Sequence, residues 1–199
     1  MTRVDEHAYG GQVTILPNLL TRRVDSPAPL SGAGLNSLRA GVLGANDGIV
    51  SVAAIVVGVA GASSSRNAVL AAGVAGLVAG ALSMAAGEYV SVSSQRDAER
   101  AAEVAADEQT NPWHAALASL TAFLVGGVVP LLVVLAPWPS ALIVPAVVVA
   151  VVLALVATGW LSARVGGASS HRAVLRNVVG GGLAMAVTYG VGTLVGLAF

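Results

Sequence analysis

A hydrocarbon core about 30 Å thick is crossed by about 20 predominantly apolar helical residues. Five stretches of this chain meet that length, at residues 40–61, 68–92, 116–136, 141–162 and 177–198. A membrane β-barrel would instead show segments of roughly ten residues alternating apolar and polar. Continuous Ala, Val and Leu runs do not alternate, so the expectation is an all-α membrane protein with five transmembrane helices. Composition agrees: 56% of the 199 residues are hydrophobic and 10% charged, where a soluble domain carries about 25% charged residues. Aromatics make up only 4%, so the packing expected is close helix on helix through small residues. Ten basic residues balance ten acidic ones, which leaves no basic excess to bind nucleic acid. There is no cysteine, which removes disulfides, thiolate metal sites and cysteine nucleophiles together.

Every basic residue is an arginine, and the arginines divide unevenly. Arg3, Arg22, Arg23 and Arg39 precede the first span, Arg96 and Arg100 follow the second, and Arg164, Arg172 and Arg176 surround the fourth loop, with Arg66 alone on the other side. Basic residues accumulate in cytoplasmic loops, which predicts a cytosolic N-terminus and, after five spans, a C-terminus on the opposite side. Residues 1–35 are polar, contain Pro17, Pro27 and Pro29, and lack a secretion signal; they read as a flexible cytosolic tail before a single transmembrane domain over 36–199. Short connections at 63–67 and 137–140 make neighbouring spans antiparallel hairpins. The longer connection from Ser93 is rich in helix formers until Asn111-Pro112, which predicts that the second helix extends into the cytosol to about residue 109.

Of the ten carboxylates only Asp47 and Glu88 lie inside expected spans, where each costs at least about 2.5 kcal/mol near the bilayer centre. Such groups normally face a cavity. At about 1.5 Å per residue, Asp47 stands roughly 10 Å deep in the first helix and Met84 roughly 12 Å deep in the antiparallel second. Glu88 is one turn from Met84 on the same face, so the three side chains can form a column, and carboxylate plus thioether is a metal-ligating set. The same i+4 stripe continues through Gly80 and Gly76, while on the first helix Gly44 and Gly48 stand on either side of Asn46-Asp47. Small-residue stripes are in the first place packing devices, and a lone Met is gap filler; alignment with the two acids is what recommends Met84. Glu99, Glu103 and Asp107 repeat at i+4 and would present carboxylates down one helix face, either as a weak cytosolic capture site or as a solvated face paired with Arg96 and Arg100. His7, His114 and His171 lie outside the spans in no ligand spacing. Without an intramembrane base beside a buried Ser, a hydrolase mechanism has no activated nucleophile, and no catalytic residue or permanently bound cofactor is expected.

Gly44-Ala45-Asn46-Asp47-Gly48-Ile49-Val50-Ser51 in the first span, and the run from Gly76 to Ser91 containing Ser83-Met84-Ala85-Ala86-Gly87-Glu88-Tyr89, resemble the signatures of the vacuolar iron transporter family. The similarity extends through Ser94-Gln95-Arg96-Asp97, Asn111-Pro112-Trp113 and, less sharply, Thr188-Tyr189-Gly190, covering about residues 38–198. The resemblance implies five helices, a cytosolic N-terminus, a homodimer, and export of Fe²⁺ or Mn²⁺ from the cytosol in exchange for protons. It places Asp47 and Met84 on a path at the dimer interface, with Glu88 and Tyr89 in the matching Gly-Glu-Tyr. Long-loop members carry a cytosolic metal-binding domain after the second span; this chain has only the short 95–114 connection.

The resulting expectation is a proton-coupled exporter whose cargo is Fe²⁺ or Mn²⁺. Carboxylate oxygens attract the cation and the thioether disfavours Mg²⁺ and Ca²⁺, which prefer all-oxygen shells. Proton and metal compete for the same carboxylate, and two copies of Asp47 and Met84 would supply four ligands. Two alternatives stay open: a membrane adaptor or assembly subunit in which Asp47 contacts another protein's helix, and a channel without proton coupling. Exclusive arginine usage with abundant Ala, Val and Gly suggests a GC-rich bacterial genome and the plasma membrane, or the vacuolar membrane in a eukaryote.

Overall fold

The computed structural model describes residues 32–63 and 65–198; most of the expected N-terminal tail lies outside them. Five helices follow in order: α1 (Gly32–Ala62), α2 (Arg66–Ala101), α3 (Pro112–Leu135), α4 (Ser140–Val165) and α5 (Ser170–Ala198). All five are long and apolar enough to cross a membrane, and the chain is a multi-pass membrane protein. Local signals set several boundaries. The Ser65 hydroxyl accepts from the Ala68 amide to start α2. Asn111 Oδ1 accepts from the amides of Trp113 and His114, with Pro112 in the first turn of α3 where its missing N–H costs nothing. Both α3 and α4 continue as helix through an internal proline, Pro130 and Pro145.

Two boundaries depart from the expectation. The first helix starts at Gly32 instead of near residue 40, which carries Arg39 onto it as an eighth helical residue. The second ends at Ala101 instead of near 109. There the chain turns back: Glu103 adopts a left-handed φ of 57°, and Glu99 Oε2 accepts from the Thr110 amide and hydroxyl at 2.8 and 3.1 Å. A bond spanning eleven residues outweighs the helix propensity of the Ala-Glu run.

Helix α1 is central and packs against each of the other four, while α2 lies against α3, α3 against α4, and α4 against α5. Ile49, Val52, Val56, Phe123, Val147 and Leu155 form the dry middle of this arrangement. The closest approaches are backbone on backbone. A Cβ on Gly48 would overlap the Phe123 carbonyl oxygen of α3, and one on Gly192 of α5 would overlap the Gly58 carbonyl of α1. Small residues thus let the helices meet as bilayer proteins require, where dispersion between close surfaces replaces the hydrophobic drive.

Candidate metal-ion site

Asp47, Ser51 and Ile55 stand one turn apart on α1 and line one side of a cavity of about 480 Å³. Met84 and Glu88, with Gly76, Gly80 and Ser83, line the side formed by α2, and Phe123 of α3 closes it. The glycines set its shape: a Cβ on Gly80 would run into the Phe123 ring and one on Gly76 into the Ile55 side chain. Ala79, Ser83 and Gly87, on the same wall, are exposed at the surface of the chain, so the cavity is bounded on that flank by small residues only.

The donors differ in how they are held. Ser51 Oγ donates to Asp47 Oδ1 at 2.7 Å, one helical turn away, which fixes the carboxylate while leaving oxygen lone pairs for a cation. Met84 is half-buried and packs against the central core. Glu88 is 7% exposed and accepts from Arg39 Nη2 at 2.7 Å, whereas Arg39 itself is 52% exposed. Among the described residues no group of three or more His, Cys, Asp or Glu side chains comes together. One chain therefore offers two carboxylates and a thioether along a short column, fewer donors than the six or so of a common divalent shell.

The column of Asp47, Met84 and Glu88, with Gly76 and Gly80, is brought together on one cavity. Three residues expected beside it lie elsewhere. Gly44 faces α3, where a Cβ would stand 2.5 Å from the Ser119 carbonyl oxygen. Asn46 lines a neighbouring cavity of about 520 Å³ with Arg39, Arg176 and Asn177, and its Oδ1 is buried without a hydrogen-bond partner. Tyr89 packs at a tilt against Trp113 of α3, ring centroids 4.8 Å apart. Nor do Glu99, Glu103 and Asp107 share a helix face, because α2 stops between the first and the second. Glu99 is occupied by Gln95 and Thr110, and Arg100 pairs with Asp97 at 3.8 Å instead of with Glu103. Sequence reasoning missed Arg39 on Glu88, Ser51 on Asp47, and the Ile55 and Phe123 side chains that line the cavity.

The VIT family model matches residues 38–106 and 101–193. The chain belongs to the VIT family. Vacuolar iron transporter homolog 2 of Arabidopsis thaliana is 46% identical over 166 residues, covering 80% of this chain and 85% of the relative. Vacuolar iron transporter homolog 1 of Oryza sativa subsp. japonica is 46% identical over 189 residues, covering 85% of this chain and 81% of its own length. The VIT family match takes in the whole cavity wall, from Asp47 through Met84 and Glu88 to Phe123, and Arg39 beside Glu88.

Proposed function

We propose that this protein moves Fe²⁺, and Mn²⁺ as a chemically similar cargo, out of the cytosol in exchange for protons, along a path between two copies of the chain. The observation that carries this reading is the Asp47–Met84–Glu88 column lining a cavity at the membrane-spanning level of α1 and α2. The names of the relatives, vacuolar iron transporter homologs, support metal as the cargo. A transport protein, and no enzyme, is what this donor set without an activated nucleophile serves.

Hard carboxylate oxygens and one soft thioether suit Fe²⁺ or Mn²⁺ better than Mg²⁺ or Ca²⁺. A carboxylate must be deprotonated to ligate, so metal loading at Asp47 releases a proton and metal release lets a proton return. That competition couples the two fluxes without a second site. A second copy facing the exposed Ala79–Ser83–Gly87 flank would double the donors to two each of Asp47, Met84 and Glu88. The concentration of arginines at one set of helix ends supports a cytosolic N-terminus, in the plasma membrane of a bacterium or the vacuolar membrane of a eukaryote.

The test is flux in proteoliposomes holding the purified chain alone, with an imposed pH gradient and anaerobic Fe²⁺ or Mn²⁺. Uphill metal movement driven by protons, abolished in Asp47→Asn, is expected. Flux retained in Asp47→Asn, or no flux by the wild-type protein, would refute the reading.

A further inference from the structure

We propose that Arg39 is a tethered counter-cation that occupies Glu88 when the path is empty and must be displaced for a divalent metal ion to load. This rests on the export reading above. Arg39 Nη2 lies 2.7 Å from Glu88 Oε1, and Glu88 is one of the donors lining the cavity. A guanidinium does not lose its proton in a protein, so nothing but removal of the side chain frees the carboxylate.

The two partners are unequal in what separation costs them. Glu88 is almost wholly buried, whereas half of the Arg39 side chain is already exposed. Stripping the arginine away leaves a buried carboxylate without compensation, which is strongly unfavourable, unless another cation takes the position. A divalent ion that also reaches Met84 and Asp47 brings twice the charge to the same oxygens. The guanidinium also has a place to go. Its Nε and Nη2 already donate to Asn36 Oδ1 at 3.2 and 3.0 Å, so the side chain keeps a partner when Glu88 is released, and Arg39 lines the neighbouring cavity beside Asn46, whose Oδ1 is an unpartnered acceptor. Arg176 borders that cavity too, and its like charge keeps the displaced state temporary. Metal release then ends with Arg39 back on Glu88, which lowers the affinity for the ion and speeds its departure.

The alternative is a plain staple that fastens α1 to α2. The two differ in sign. Mn²⁺ binding to the purified full-length protein in nanodiscs, measured by calorimetry, should tighten at least about fivefold in Arg39→Gln, the lower range of coupling between two ligands. Arg39→Lys, which keeps the charge, should stay within about twofold of wild type. In a Glu88→Gln background the Arg39→Gln change should have no further effect. Flux should show the same signature, a lowered apparent KM with reduced turnover. Should Arg39→Gln not fold, Arg39→Met, which keeps the apolar stem and removes the charge, should tighten Mn²⁺ binding in the same direction. Mn²⁺ affinity unchanged or weaker in a folded Arg39→Gln or Arg39→Met overturns the counter-cation role and leaves export standing. A wild-type protein that binds neither Mn²⁺ nor anaerobic Fe²⁺ overturns both.

Discussion

Gly48 of α1 lies against the Phe123 backbone of α3 so closely that a single added methyl would overlap the Phe123 carbonyl oxygen. That contact sits one residue from Asp47 and sets the distance at which the cavity wall stands from its closing ring. Gly48→Ala must push the helices apart, and overpacking of this kind costs about 1–3 kcal/mol. Thermal unfolding in detergent should show a clear loss for Gly48→Ala and little change for Gly182→Ala, whose Cβ would meet nothing within 4 Å.

Met84 is the one soft donor on the cavity. Met84→Leu keeps the volume and removes the sulfur, so folding should be preserved at a cost below about 1.5 kcal/mol. Iron flux should then become more sensitive to competing Mg²⁺, because the remaining donors are all oxygen. Inhibition by excess Mg²⁺ in the same vesicles checks it; an unchanged inhibition curve would count against ligation by the thioether.

Ser83 is exposed on the wall of the cavity, and the chain has no cysteine of its own. If two copies meet on this flank, Ser83→Cys should form a disulfide-linked dimer under mild oxidation in the membrane, while Leu153→Cys on the exposed face of α4 should not. Electrophoresis without reductant reads the result, and equal cross-linking at both positions would argue for random collision.

Glu103 holds a φ of 57°, a conformation that costs a residue with a Cβ about 1–2 kcal/mol. Glu103→Gly should therefore raise stability by about 1 kcal/mol, net of the freedom glycine gains when unfolded, and leave Mn²⁺ affinity unchanged. Weaker metal binding in this variant would restore a capture role to the connection after α2.

Five spans and the Asp47–Met84–Glu88 column were legible because both depend on simple periodicities: about 20 apolar residues for a crossing, and i+4 for one face of a helix. Arg39 escaped because an arginine reads as the end of an apolar stretch, yet helix geometry ignores that border and continues to Gly32. Asn46 was grouped with Asp47 by adjacency, although consecutive residues on a helix point about 100° apart, which puts it on another cavity. The end of α2 depended on a hydrogen bond between Glu99 and Thr110, a tertiary contact no local propensity contains.

Helix α1 touches all four of its neighbours and bears both Asp47 and Arg39. α2, α4 and α5 are the opposite case, with only 22%, 22% and 11% of their most apolar windows enclosed. A pivot so hemmed in cannot swing without unseating the whole assembly. Under the export reading, any motion that exposes the ion to one compartment and then the other would fall to these outer helices, set around α1 as a fixed post.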